Sequence, residues 1–255
     1  MRHLALIPAR KGSSGLPGKN MLHIGGMSLV ERAIRCAQAS ACFDEIAVSS
    51  DWDEVLKLGE HLSVRCSPRP SSLAGGGSPI EDTVKHTLNW YSEHVSEEAW
   101  DSVCVLNPTS PFRDPTDIRS AYKLFNELHP QSVTSVHEIK PILMSRVRKG
   151  HRELYHEAQF QWRNRQRRKP LLAQNGALYI VSVPYFRETG KLVGEKGLIH
   201  LMPSQPNSCD IDSYWDYLSA LAWHDEMEKV KGRLPKVVYN VEPVPAEAPA
   251  QDSKP

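Results

Sequence analysis

Apolar positions fall into short runs separated by stretches with helical periodicity. Residues 3–8, 45–49, 62–66, 102–106, 132–136 and 177–181 are runs of five or six bounded by glycine, proline or polar residues. Such runs predict buried strands. Between them, Leu29, Val30, Ala33, Ile34 and Ala37 recur on one helical face. Residues 51–60 predict a second helix. Pro79 can open a third, in which Ile80, Val84, Leu88 and Tyr91 share a face. Asp114 or Thr116 can cap a fourth that turns Ile118, Ala121, Tyr122, Phe125 and Leu128 inward. Tyr214, Tyr217, Leu218, Leu221 and Ala222 mark a last amphipathic helix. Strands alternating with helices predict an α/β fold with a doubly wound, mostly parallel sheet. Ligands of such sheets sit beyond the carboxyl ends of the strands. The loops after the first, third and fourth strands are therefore where chemistry is expected.

Three segments break the rhythm. Residues 9–20 hold Gly12, Gly15, Gly18, Ser13, Ser14 and Pro17, and predict a loop. Residues 67–78 hold Pro68, Pro70 and Gly75-Gly76-Gly77, and predict another. Residues 137–173 are polar, basic and weakly periodic, and predict an insertion with short strands. The expected organisation is one α/β domain, 1–136 and 174–232, interrupted by 137–173. A Pro/Ala-rich tail, 243–255, is expected to be disordered.

Composition narrows the function classes. The chain has 255 residues, with 31 Lys and Arg against 30 Asp and Glu. This balance argues against duplex nucleic acid or an anionic membrane as partner, and leaves room for a small anion held by local cations. No window approaches the ~18–20 continuous apolar residues of a membrane span. The N-terminal apolar run is too short for a secretory leader. Cys36, Cys42, Cys66, Cys104 and Cys209 are odd in number and unpaired in spacing, which reads as free thiols, small buried hydrophobes in a reducing compartment. A soluble cytoplasmic protein is expected. No histidine spacing suggests a metal ligand set.

The first loop carries Arg10, Lys11 and Lys19 among small residues. Glycine lets backbone N–H groups approach a phosphate, and the lysines add charge. The glycines are misplaced for both GxxxxGK[ST] and GxGxxG. On composition alone a phosphate loop and a solvated turn both remain open. Pro108 to Pro111 can be a rigid turn, and Asn175-Gly176 a hairpin turn. Asp210 and Asp212 can cap the last helix.

Taken in order, these segments resemble the acylneuraminate cytidylyltransferase family. The resemblance rests on Ile7-Pro8-Ala9-Arg10-Lys11-Gly12-Ser13-Ser14-Gly15-Leu16-Pro17-Gly18-Lys19-Asn20, on Arg69-Pro70 before Leu73-Ala74, and on Leu106-Asn107-Pro108-Thr109-Ser110-Pro111-Phe112-Arg113. Gln174-Asn175-Gly176-Ala177-Leu178-Tyr179-Ile180 and Asp210-Ile211-Asp212 complete it. The resemblance implies a Rossmann-like nucleotide-diphospho-sugar transferase fold with a small dimerisation insertion. It implies CTP and a nine-carbon 2-keto sugar acid as substrates, such as a sialic acid or a related nonulosonate. It implies a homodimer and no nucleic acid or membrane partner. Nucleotide contacts would come from Ala9, Arg10, Lys11, Ser13, Ser14, Lys19, Asn20 and Arg69, with Arg10, Lys19 and Asp212 catalytic. Sugar contacts would come from Asn107, Thr109, Ser110, Arg113, Lys140, Arg165, Asn175 and Tyr179. Four residues depart from the pattern. Ser14 stands where a lysine is usual, with Lys11 in place of a glycine. Gly75 stands for an aspartate, and Asn107 for a glutamine.

Asp210 and Asp212 suit Mg²⁺, a hard cation held by one or two carboxylates plus substrate phosphates. Side chains two apart in an extended segment point the same way. The run Arg163-Asn164-Arg165-Gln166-Arg167-Arg168-Lys169 has five cations in seven residues. It reads as a solvated loop, as a surface for an anionic sugar or a neighbouring subunit, or as a nucleic-acid patch. Arginine suits bidentate capture of a carboxylate, with Arg165 first and Arg168 second. Two other functions fit less well: a cytidylyltransferase for an eight-carbon, Kdo-type acid, and a catalytically degenerate nucleotide-binding homologue.

Overall fold

The structure, a computed structural model, describes residues 1–13, 15–95, 99–139, 144–146, 152–154, 170–203 and 205–230. Its centre is a seven-stranded sheet. The strands are β1 (His3–Pro8), β4 (Glu45–Ser50), β5 (Arg65–Pro68), β6 (Ser102–Val105), β7 (Ser132–Ile139), β10 (Leu171–Ser182) and β11 (Leu198–Leu201). Their spatial order is β11-β7-β10-β6-β1-β4-β5. β1 pairs in parallel with β4 and β6, β4 with β5, and β11 with β7. Only β10 runs against its neighbours, β6 and β7. The sheet is thus mostly parallel, as the alternation of segments predicts.

Alternate side chains of β1 feed two cores. Ala5 and Ile7 pack with α1 (Leu29–Ser40), α2 (Asp53–His61) and α4 (Pro115–Leu128) on one face. Leu4 and Leu6 pack with α3 (Ile80–His94) and α5 (Val183–Thr189) on the other. Burial on both faces is why these strands read as continuous apolar runs. The helix starts follow local chemistry. Ser28 accepts a bond from the Glu31 N–H to cap α1. Asp114 and Asp117 form a capping box ahead of α4, with Pro115 in its first turn.

A third, smaller core joins α6 (Tyr214–Val230) to the short hairpin of β2 (His23–Ile24) and β3 (Met27–Ser28) through Ile24, Leu29, Phe112, Ile211 and Ala220. It ties the end of the described chain to the loop after β1.

Two strand boundaries differ from expectation. The run 62–66 begins as a turn, because α2 extends to His61 and Ser63 adopts φ 57°. β5 therefore starts at Arg65. β10 starts at Leu171, not Ala177, and bends where Gly176 has φ 70° and the register with β7 shifts. Its first residues pair with the end of β7, Leu171 opposite Ile139. The two ends of segment 137–173 are therefore one antiparallel ladder, and β8 (Met144–Arg146) and β9 (Arg152–Leu154) form a hairpin within it. Tail residues 243–255 lie outside the described residues. Among the described residues, no helix is long and apolar enough to cross a membrane.

Candidate active site

The carboxyl ends of β1, β5 and β6 open onto a cleft of about 280 Å³. Each of the three loops singled out in the sequence supplies part of its wall. Arg10, Ser13, Lys19 and Asn20 come from the first, Arg69 from the second, and Asn107 and Thr109 from the third. Asp210 and Asp212 close the remaining side.

The first loop is fixed from behind. Asn20, 5% exposed, donates its amide to the Arg10 carbonyl oxygen at 2.9 Å. Ala9 is fully buried and bridges to β4: its N–H donates to Ser49 O, and its carbonyl accepts from Ser50 Oγ. Arg10 is held at the mouth by the Gly75 carbonyl, 2.5 Å from its guanidinium. Gly75 thus acts through its backbone, where the family's usual residue is an aspartate. Lys11 takes no part in the cleft wall. Its N–H donates to Asp51 at 2.8 Å and its ammonium lies 5.8 Å from the Trp52 ring centre. This differs from the expectation of a nucleotide contact: the side chain turns outward over the indole. Ser14 lies outside the described residues.

Arg69 is the sheltered cation of the cleft. It is 8% exposed and donates to Ser49 O at 3.0 Å and Ser49 Oγ at 3.3 Å. Burial lowers its pKa to about 10, Asp51 opposes the fall and Arg10 adds to it. It stays charged at neutral pH.

Lys19 joins the first loop to the acidic wall. Its ammonium donates to Ile211 O at 2.9 Å and to Asp212 Oδ1 at 2.8 Å. Gly15 presses against the same segment: a Cβ there would overlap the Asp212 carbonyl. Asp210 opens onto the cleft, yet packing in its concave wall pushes its carboxyl pKa up. A hydrogen bond with Thr109 opposes that rise, and the nearby Asp212 charge adds to it. Neither carboxylate caps α6, whose start is bonded by Ser213 and Asp216. Two hard carboxylates crowded on one wall fit a divalent cation, whose charge would relieve their repulsion. Among the described residues no group of three or more His, Cys, Asp or Glu gathers as a metal site. A cation here would fill the rest of its shell with oxygens of water or of a bound phosphate, as Mg²⁺ does.

The expected sugar contacts divide. Asn107 lines the cleft and donates to Gly176 O at 2.8 Å, which leaves its carboxamide oxygen for a ligand. Gly176 is needed there, since its φ of 70° favours glycine. Ser110, Arg113 and Asn175 differ from the expectation of direct contact. They are 3–5% exposed and stand behind the wall. Arg113 donates to Asn107 O and Ala177 O, pinning the third loop to β10. Asn175 bonds Ser135, Ala177, Ser208 and Met202. Asn175, with its amide bonds committed inward, has none to offer a ligand, and Ser110 Oγ is buried with no hydrogen-bond partner among the described residues. Tyr179 packs among the apolar residues under α3, where burial raises its phenol pKa and the Asp210 charge adds to the rise. Lys140, Arg165 and Arg168 lie outside the described residues.

Ser78, Ile80 and Thr83 also line the cleft and were not among the expected contacts. Their signal was present: Ile80 and Thr83 occupy the first turn of a helix whose start faces the strand ends. All five cysteines are free thiols, and burial raises the pKa of each, for Cys209 to about 12.

Comparison with known proteins agrees with this geometry. A family model described as cytidylyltransferase matches residues 4–179, more than half of the chain. CMP-N,N'-diacetyllegionaminic acid synthase of Legionella pneumophila is 31% identical over 227 residues, covering 85% of this chain and 94% of that protein. N-acylneuraminate cytidylyltransferase of Escherichia coli O18:K1:H7 is 29% identical over 240 residues, 93% of this chain. The match spans only 55% of that relative's length. Among solved structures, CMP:2-keto-3-deoxy-manno-octonic acid synthetase complexed with CTP superposes with a TM-score of 0.64 at 14% identity, covering 89% of this chain and 99% of that one. 4-Diphosphocytidyl-2C-methyl-D-erythritol synthase from Anaerococcus prevotii gives 0.60 at 11%, covering 88% and 99%. These two share the fold. The matched span holds the first loop, Arg69 and the third loop, and the chain belongs to the cytidylyltransferase family.

Proposed function

We propose that the protein transfers CMP from CTP to the anomeric hydroxyl of a nine-carbon 2-keto sugar acid. The observation that carries this reading is the convergence of Arg10, Lys19 and Arg69 with Asp210 and Asp212 on one cleft. Three cations suit a triphosphate, and the acidic pair suits a cation shared with it. The names of the relatives support a nonulosonic acid as acceptor. The eight-carbon alternative is supported only by a likeness of fold.

The sugar hydroxyl oxygen attacks the α-phosphorus in line and gives up its proton to solvent, a new P–O bond forms, and the bond to pyrophosphate breaks. The chain's part is to position and to stabilise charge. Arg10, held by Gly75, and Arg69, held by Ser49, offset charge on the phosphates. Lys19 supplies a third cation beside the acidic wall. Asn107 offers its carboxamide oxygen to a sugar hydroxyl, and Arg113 keeps that residue in place. Asp210 and Asp212 would hold Mg²⁺, which supplies charge neutralisation at phosphate oxygens when bound. The reading includes a homodimer built through segment 137–173, and a cytoplasmic location where CTP is available.

Pyrophosphate release with CTP, Mg²⁺ and a panel of sialic, legionaminic, pseudaminic and eight-carbon acids tests the reaction. Release with a nine-carbon acid is expected. Release only with the eight-carbon acid, or silence across the panel with CTP binding intact, would refute it. Elution at the monomer mass of 28.7 kDa would refute the dimer.

A further inference from the structure

Lys19 reaches across the cleft to a segment 192 and 193 positions away in the chain, taking Ile211 O and Asp212 Oδ1 as acceptors. The lysine side chain is the sheltered partner, 14% exposed, and Asp212 the open one, 77% exposed. The acidic segment does not depend on Lys19 for its shape. Asp216 accepts from the N–H groups of Asp212 and Ser213 at 3.2 and 2.7 Å, and from Ser213 Oγ at 2.7 Å. Ile211 is fully buried, and its N–H donates to Thr109 O at 2.9 Å. The ion pair therefore joins two parts that are each held by other means.

Both partners of the pair line the cleft. A phosphate entering there competes with Asp212 for the Lys19 ammonium. A divalent cation entering there competes with Lys19 for the Asp212 carboxylate, and the two cations repel each other across it. We propose that Lys19 is a latch that exchanges between Asp212 and the phosphates of the nucleotide. Nucleotide binding then frees Asp212 for a divalent cation, and cation binding frees Lys19 for phosphate. One ion pair couples the two ligands, and the coupling is reciprocal by linkage. The inference rests on reading Asp210 and Asp212 as cation ligands, and its test separates the two.

Two binding measurements decide it. The first is Mn²⁺ binding to nucleotide-free protein, followed by the electron paramagnetic resonance of the free ion. The second is CTP binding in EDTA by calorimetry. Lys19→Met is expected to bind Mn²⁺ about two- to fivefold tighter than wild type, the scale of a partly exposed ion pair. Asp212→Asn is expected to bind CTP in EDTA tighter by about the same factor. A general field effect is separated by the double variant: once Lys19 is methionine, Asp212→Asn no longer tightens CTP. Weaker Mn²⁺ binding by Lys19→Met, with Lys19→Gln behaving alike, would show a structural clip and overturn the latch. Tightening of CTP that persists in the double variant, or no tightening at all, would overturn it as well. If neither wild type nor Lys19→Met binds Mn²⁺, the cation reading of the carboxylates fails, and the EDTA measurement alone decides whether Lys19 exchanges.

Discussion

Replacing Arg69 by methionine separates what this residue costs the fold from what it gives the ligand. The guanidinium is 8% exposed, and burial takes its pKa from 12.5 to about 10. At ~1.4 kcal/mol for each pH unit, holding the charge in place costs about 3 kcal/mol. Folded and unfolded chains are both protonated at neutral pH, so the cost is present throughout that range. It is relieved only as pH climbs from about 10 toward 12.5, where the unfolded chain alone still holds the proton. The 3.0 Å bond to Ser49 O returns roughly 1.5–3 kcal/mol as a charged hydrogen bond. Ser49 O keeps another donor, the Ala9 N–H at 3.0 Å, so losing Arg69 does not orphan it. The sum is near zero. Arg69→Met should therefore stay within ~1 kcal/mol of wild type in urea unfolding at pH 7.5. CTP affinity by calorimetry should fall at least ~30-fold, since losing one desolvated charge partner costs about 2 kcal/mol or more. Unfolding weakened by more than ~2 kcal/mol with CTP affinity intact would make Arg69 a strut and refute its place in the site.

Asn175→Ala removes bonds to Ser135, Ala177, Ser208 and Met202 at a position 4% exposed. It should lower urea stability by about 2–4 kcal/mol, and a loss below ~1 kcal/mol would contradict the network. Gly15→Ala places a methyl against the Asp212 carbonyl and should cut turnover roughly 10²-fold by displacing the loop. Wild-type turnover would show that the loop has room to shift. His3 is buried beside Tyr122 and Ser102, and burial lowers its pKa from 6.5. The unfolded chain takes the proton first, so stability holds above about pH 6.5 and declines as pH falls through that value. The urea midpoint should drop between pH 7.5 and 5.5, and His3→Gln should flatten the decline; an equal slope in the variant would exclude His3 as its source.

The sheet was legible because strands covered on both faces stay apolar throughout, as Leu4 to Ile7 and Val103 to Val105 do. Helix starts were legible where a single side chain marks them, as at Asp114 and Pro79. The β2–β3 hairpin was overlooked although Gly25-Gly26 marks a two-residue turn, with φ of 59° and 81°. α5 and β11 are short, and β11 is an edge strand with Ile199 half exposed, so neither has a periodicity to read. Within the site, motif spacing located the walls but not the direction of each side chain. Lys11 and Arg10 are adjacent, yet one lies over Trp52 and the other at the cleft. Arg113 and Asn175 carry the same polar groups whether they face a ligand or hold a wall. That difference lies in what surrounds them: Ala177 O of β10 for Arg113, and Ser135, Met202 and Ser208 for Asn175, all distant in the chain.

The pair of Lys19 and Asp212 also has a consequence for synthesis of the chain. Domains acquire structure from the N-terminus as they emerge. β1, β4, β5 and β6 can associate while the rest is still being translated, and all four precede residue 106. The acidic wall arrives more than a hundred residues later. No nascent chain that stops before Asp212 carries a complete cleft, whatever the state of its sheet. A premature stop in that interval would leave a sheet able to form and a first loop with no acidic wall to close against. The late arrival of Asp210 and Asp212 thus makes translation to α6 a checkpoint between having a fold and having a site.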